Sequence, residues 1–479
     1  MNKSFKYLPK NKRKKILLIC DDIRVHSGVA TVAKEIVLHT SQHFNWVQIA
    51  GSIKHPDKGK RLDLSNDTNT QMGLEDSSVI LYPADGYGNS DMVRQLIKLE
   101  KPDALFIITD PRYFMWLFEM EGEIRKQIPI IYLNIWDDYP APLYNKTYYQ
   151  SCDALLGISK QTVNINKIVL GEDIKDKIIK YIPHGLDSSK YYPIGRNSEE
   201  LTQFKKNIFK DQEVDFIMFF NSRNIRRKQI PDTMWAFKMF LDSLPKEKAD
   251  KCVFILHTDL THEAGTDLQS IEELLFSKEY PNAIKFSNNK LPIEDLNKLY
   301  NIADVQILLT SNEGWGLTLT EAILTGTPII ANVTGGMQDQ MRFENEKGEW
   351  FTPSPELPSN NTGKFQNHGE WAFPVYPACR SIQGSPITPY IFDDRCKPED
   401  AAKRIREVYD MTPEERDKVG LKGREWVTSE EAGFTSQHQG KRIIEALDEL
   451  FHKWKPKEKY EIINTNIDIK KVQTHNLLY

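Results

Sequence analysis

Two glutamates eight positions apart, Glu313 and Glu321, bracket the part of this 479-residue chain whose residue types could do chemistry. Between them stand Gly314 and Gly316, which let backbone approach a ligand closely. The amides at Gly316, Leu317 and Thr318 open a predicted helix, and unpaired N–H groups in that position suit a phosphate. A carboxylate accepts hydrogen bonds from neighbouring hydroxyls, so the pair of glutamates suits a ligand carrying both sugar and phosphate. On spacing alone, a surface loop whose glutamate merely favours a helix N-terminus explains the pattern as well.

The elements that must position these residues are legible around them. Residues 304–310 form a short apolar run of the size of a buried parallel strand. Residues 317–324 read as a helix, with Gly326 just past its end and Pro328 as a further stop. Residues 329–333 are a second strand, closed by Gly335 and Gly336. This is a β-α-β unit with a glycine-bearing turn at the carboxyl end of its first strand, the edge where open parallel sheets bind ligands.

The run E-G-W-G-L-T-L-T-E-A, followed by G-T-P and then G-G, resembles the E-x7-E signature of retaining glycosyltransferases with the two-domain GT-B fold. The closest group is glycosyltransferase family 4, which holds glycogen-synthase-like, sucrose-synthase-like and mannosyltransferase enzymes. The resemblance implies an α/β chain of two Rossmann-like, doubly wound domains facing across a cleft. It implies that Glu313 faces the donor sugar and Glu321 holds the ribose. Arg223 and Lys228 follow the predicted strand 216–220 and match the Arg and Lys that relatives use against the pyrophosphate. A guanidinium fork and an ammonium would neutralise about two negative charges there and help the nucleotide leave. Arg226 and Arg227 are not both expected as ligands, and a solvated basic turn is the plain alternative for the cluster.

Gly28, in the turn His26-Ser27-Gly28-Val29, sits where relatives carry a glycine-rich loop near the donor phosphates or the acceptor. His26 reads as a polar loop residue. After the predicted strand 130–135, many relatives place a His close to the donor sugar; here stand Trp136, Asp137 and Asp138. Asp137 is the catalytic candidate of that pair, able to bind a sugar hydroxyl or an acceptor, or simply to cap the next segment. No D-x-D occurs, and relatives stabilise pyrophosphate with Arg, Lys and amides, so neither a metal nor a cofactor is expected beyond the donor, a UDP- or GDP-hexose. His257 and His262 lack a third ligand for zinc, and His184, in the segment I-P-H-G-L-D, reads as structural. By analogy the acceptor hydroxyl attacks on the face of the leaving group while the phosphate takes its proton.

Length points to two domains. The expected division is 1–195 on the acceptor side, 205–435 on the donor side with an insertion at 341–395, and 436–479 as a helix crossing back plus a polar tail. Residues 54–76 are polar and expected as an exposed loop. Residues 341–395 are rich in Pro, Asn and Gly, and are expected as an insertion near the cleft, over the acceptor side; Trp371, Phe373, Tyr376, Tyr390 and Phe392 argue for partial burial. A net charge of −4 gives no basic field for nucleic acid. Mean hydropathy is −0.51, and no apolar run approaches the roughly 18 residues of a membrane span. The basic run 10–15 leads straight into a strand rather than a signal-peptide core, and reads as a solvated segment, with contact to an anionic membrane left open. Five scattered cysteines without a C-x-x-C fit a cytoplasmic protein. Oligomeric state and the identity of the hydroxyl-bearing acceptor are not encoded in any pattern. A non-catalytic nucleotide-sugar-binding protein, or an epimerase or phosphorylase on the same fold, are the competing readings.

Overall fold

The first strand, β1 (Lys14–Asp21), shows how the chain builds its layers. Its central residues are all buried, but Ile16, Leu18 and Cys20 pack into one core while Leu17 and Ile19 pack into another. A strand covered on both faces reads as a continuous apolar run, and only helices on both sides of a parallel sheet provide that cover. The computed structural model describes residues 7–457. Around β1 stand β2 (Phe44–Ser52), β3 (Leu62–Asp63), β4 (Val79–Asp85), β5 (Ala104–Ile108), β6 (Ile130–Asn134), β7 (Ala154–Gly157) and β8 (Ile178–Tyr181). Their order is β3-β4-β2-β1-β5-β6-β7-β8, parallel except for β3.

A second sheet follows from β9 (Phe216–Asn221), β10 (Cys252–His257), β11 (Ile284–Ser287), β12 (Val305–Leu308), β13 (Ile329–Asn332) and β14 (Ala372–Val375). Its order is β11-β10-β9-β12-β13-β14. A separate antiparallel hairpin, β15 (Cys379–Gln383) and β16 (Ile391–Arg395), comes next. The chain is therefore α/β with two Rossmann-like domains, as expected.

One expectation needs correction, and two strands stand where the sequence marks none. Residues 54–76 are not one loop: they contain β3 and the helix Ser65–Met72. That helix, SNDTNTQM, buries only Thr68, so it carries no apolar stripe to announce itself. Within the expected insertion 341–395, β14 extends the second sheet in parallel register with β13, a strand the sequence does not announce. Pro374 disguises it in sequence but is tolerated on a strand at the edge. Strand β2 went unread, since buried Asn45 and Gln48 interrupt its apolar run; Gln48 donates to the carbonyl of Asp21 (2.7 Å).

Within the described residues the chain passes between the domains twice, and the two crossings are hydrogen-bonded side by side. The Leu186 amide donates to the Phe434 carbonyl (3.1 Å), and the Ser436 amide to the Leu186 carbonyl (3.0 Å). A Cβ on Gly185 would sit 2.3 Å from the Thr435 carbonyl oxygen, so only glycine permits the approach. The helix Ser436–Lys453 then lies on the helix Gly28–Thr40, with the Ser436 hydroxyl donating to Glu35 (2.7 Å). The expected polar tail beyond residue 457 lies outside the described residues. No described helix is long and apolar enough to cross a membrane.

Candidate active site

The predicted helix Leu317–Leu324 is present with those bounds, entered through Gly316 in the left-handed region (φ 85°). The loop before it is held from behind. Trp315 donates to the Thr320 hydroxyl (3.0 Å), Thr320 donates to Gln340 (2.8 Å), and Gln340 donates to the Trp315 carbonyl (2.7 Å). His184 stacks edge-on against Trp315, with ring centres 6.2 Å apart, and burial pushes its imidazole down to about 3. A neutral histidine wedged on an indole is a structural part, and the amides of the loop are thereby fixed in place before any ligand arrives.

Glu313 meets two cations. Arg227 donates to its Oε2 (2.8 Å), and Lys228 donates to the same oxygen. Arg227 also donates to the Asn312 carbonyl (2.6 Å). Burial alone would raise the Glu313 carboxyl, but the charges of Arg227 and Lys228 outweigh it and hold the group at about 2. Burial pushes Lys228 below the usual lysine range, against the pull of Glu313. The cause of the convergence is local: residues Arg226–Lys228 form one tight 3-10 turn, and Gln229 leaves it in left-handed backbone (φ 51°), which swings Lys228 inward. The structure does not bring Arg223 to this carboxylate. It is exposed on the loop after β9, and Arg227 pairs with Glu313 beside Lys228.

Glu321 lies about one turn into the helix Leu317–Leu324. Its Oε2 accepts from the Tyr300 hydroxyl (2.5 Å) and from Asn221 (3.3 Å), and burial raises its carboxyl above the ordinary range. Tyr300 and Asn221 were not foreseen; both sit at the ends of elements flanking β12, where no motif marks them.

The other domain reaches directly into this loop. Asp137, on the connection after β6, accepts from the Gly314 amide (2.8 Å), and burial raises its carboxyl. A Cβ on Gly314 would lie 2.7 Å from the Ile135 carbonyl oxygen, so glycine is required for the contact. Gly28 is the first residue of the helix Gly28–Thr40, and a Cβ there would stand 3.7 Å from the Leu317 side chain. Two helix N-termini, one from each domain, thus face the same space, and with them the amides of Leu317 and Thr318. Beside Asp137, Asp138 forms a second acidic group with Asp394 from β16. The Thr334 hydroxyl lies 3.1 Å from Asp138 and 3.0 Å from Asp394, and Arg380 donates to Asp394 (2.6 Å). Burial, together with the Asp394 charge, pushes Asp138 up to about 8. Among the described residues no three His, Cys, Asp or Glu side chains converge to hold a metal ion.

This arrangement, two Rossmann-like domains meeting edge to edge over a glycine loop, defines the GT-B class of fold. It is shared at low identity by solved glycosyltransferases. A glycosyltransferase from Rickettsia africae superposes with a TM-score of 0.62 at 15% identity, covering 92% of this chain and 99% of that one. HepE from Anabaena, solved with UDP and glucose, superposes with a TM-score of 0.62 at 12% identity over 91% of this chain and 100% of its own. Residues 202–357, about a third of the chain, match the family described as glycosyl transferases group 1. A curated relative, the alpha-monoglucosyldiacylglycerol synthase of Acholeplasma laidlawii, is 27% identical over 201 residues, 40% of this chain and 46% of that protein. The chain thus spans less than half the length of that relative.

Proposed function

We propose that the chain is a retaining glycosyltransferase that moves a hexose from a nucleotide sugar, UDP- or GDP-linked, to a hydroxyl-bearing acceptor. The observation that carries this reading is one continuous edge. It runs from Arg227 and Lys228 through Glu313 and the amides of Gly316, Leu317 and Thr318 to Glu321, and faces the N-terminus of the helix Gly28–Thr40. Cations and helix amides favour a diphosphate, and a carboxylate beyond them takes a ribose diol.

In this reading Glu313 keeps the two cations paired until the donor enters, then positions the sugar. Lys228 and Arg227 meet the charge that grows on the departing diphosphate, which is where preorganised cations accelerate a reaction. The bond from the anomeric carbon to the phosphate oxygen breaks, the acceptor oxygen bonds that carbon from the same face, and the acceptor proton passes to the departing phosphate. Asp137 stands on the acceptor side, close enough to Gly314 to orient a sugar hydroxyl. No step is assigned to a metal.

The test is a thermal-shift screen against UDP, GDP, ADP and their hexose conjugates, with donor hydrolysis followed in parallel. Stabilisation by one nucleotide series, lost in Glu321→Ala, is expected. A folded sample stabilised by none of them rules the reading out, and binding without any turnover in the presence of acceptors would reduce it to a nucleotide-sugar-binding protein.

A further inference from the structure

Large apolar side chains are rarely left in water without a reason when they gather in one place. Thirteen stand exposed among the described residues, and six of them, Val25, Ile53, Tyr113, Leu143, Ile382 and Ile387, lie around one rim. Ile53 is 92% exposed and Ile387 70%. The first four follow the carboxyl ends of β1, β2, β5 and β6; the last two belong to the β15–β16 hairpin and its tip.

Contacts between their neighbours show that the rim is continuous. Ser52, just before Ile53, bridges Gly86, and Tyr87 next to it packs on Tyr113 with ring centres 5.8 Å apart. Arg112, next to Tyr113, donates to the Ile387 carbonyl and to the Thr388 hydroxyl (2.5 Å). The Leu143 amide donates to the Tyr390 hydroxyl (3.2 Å), and Tyr144 and Tyr390 are in edge contact at 4.8 Å. On the other side, Arg24 beside Val25 pairs with Asp57 (3.2 Å), four residues from Ile53.

We propose that this rim docks on an anionic lipid bilayer, with the cleft mouth inside it. Five of the six are aliphatic, Tyr113 being the exception, and they stand on four loops and one hairpin, a form that enters a lipid interface better than it stacks on a sugar ring or seals against a flat protein face. The polar groups between them are already satisfied by one another: Arg112 by Asp110 (2.7 Å) and the hairpin, and Tyr144 by the Tyr390 carbonyl (3.0 Å). They leave little for a glycan to bind. Charge supplies the sign of the surface. Ile53 is followed by K-H-P-D-K-G-K-R, residues 54–61, whose four cations exceed the carboxylates around them: Lys58 pairs with Asp85 (2.7 Å) and Lys60 with Asp57 (2.8 Å), which leaves Lys54 and Arg61 in excess. Resting on the function proposed above, the acceptor hydroxyl would then be carried on a lipid head group.

The experiment is flotation of the intact protein with vesicles of phosphatidylcholine alone and of phosphatidylcholine with phosphatidylglycerol, alongside calorimetric titration with the nucleotide. Wild type is expected to float with the anionic vesicles, and less at high salt. The Ile53→Asp/Ile387→Asp double variant is expected to bind them at least about tenfold more weakly, with nucleotide affinity unchanged. Lys54→Glu/Lys60→Glu is expected to weaken binding and remove its salt dependence. The proposal is overturned if neither vesicle binds, if both bind equally, if the double variant binds as wild type does, or if sedimentation shows a dimer that the double variant dissociates. Floating without any nucleotide binding would sink the proposed function and leave the docking surface standing.

Discussion

The carboxyl edge of the second sheet ends in charge that is turned inward, with Lys228 buried and Arg227 and Glu313 half-buried in the same pairing. The carboxyl edge of the first sheet ends in side chains turned outward, Ile53, Tyr113 and Leu143 among them. Both sheets are built from the same parallel arrangement, so the difference resides in the loops that finish them. A scaffold fixes where such loops stand and leaves open what they display. One edge here is made to hold something small and anionic, the other to meet something broad.

The contrast can be broken most severely at Lys228. Lys228→Met should lower the unfolding free energy by about 2–3 kcal/mol, because Glu313 would stay in its half-buried place and lose part of its counter-charge. Urea unfolding measures this; a loss below about 0.5 kcal/mol would mean that the cluster behaves as a solvated surface pair. Since the Glu313 carboxyl lies at about 2, below its ordinary 4.5, its contribution is present above the ordinary value and is lost as pH falls from there toward 2. The variant should shift that loss to higher pH.

Next in size is Glu321→Ala, expected to weaken nucleotide binding about tenfold to a hundredfold, since a hydrogen-bonded charged group contributes about 1.5–3 kcal/mol. An unchanged calorimetric affinity would remove Glu321 from the site. Arg227→Ala should then cost about tenfold in nucleoside diphosphate affinity while Arg223→Ala costs less than about threefold. The opposite order would return the phosphate role to Arg223.

The smallest effect concerns Asp138. Its carboxyl is raised to about 8, so the stability it contributes is present at low pH and is lost as pH rises through 8. Melting temperature should fall between about pH 4 and about pH 8 in the wild type and fall less in Asp138→Asn. Equal slopes would show that the Asp138–Thr334–Asp394 group is not protonated in the folded protein.

What could be read in advance follows the same divide. The helix at 317–324 and the strands on either side were legible because apolar runs, Gly326 and Pro328 all mark the same boundaries. Glu313 and Lys228 were found by motif and proved to be neighbours. Arg227 was not singled out, because in the run Arg226-Arg227-Lys228 only the geometry of the turn decides which cation points inward. Strand β14 was hidden by Pro374, and the helix Ser65–Met72 by its polar composition. The outward rim was invisible because its members are spread from Val25 to Ile387, and no local pattern records that Arg112 and Ile387 touch.

The paired crossings at Leu186 and Phe434 bear on how the two halves can move. Two backbone segments tied to each other by hydrogen bonds resist splaying and sliding more than they resist twist. A rotation about that line would part Asp137 from Gly314 while leaving the helix Ser436–Lys453 seated on its partner. A protease cut within the first crossing should leave both halves together in gel filtration, because the second crossing still carries a folded helix across.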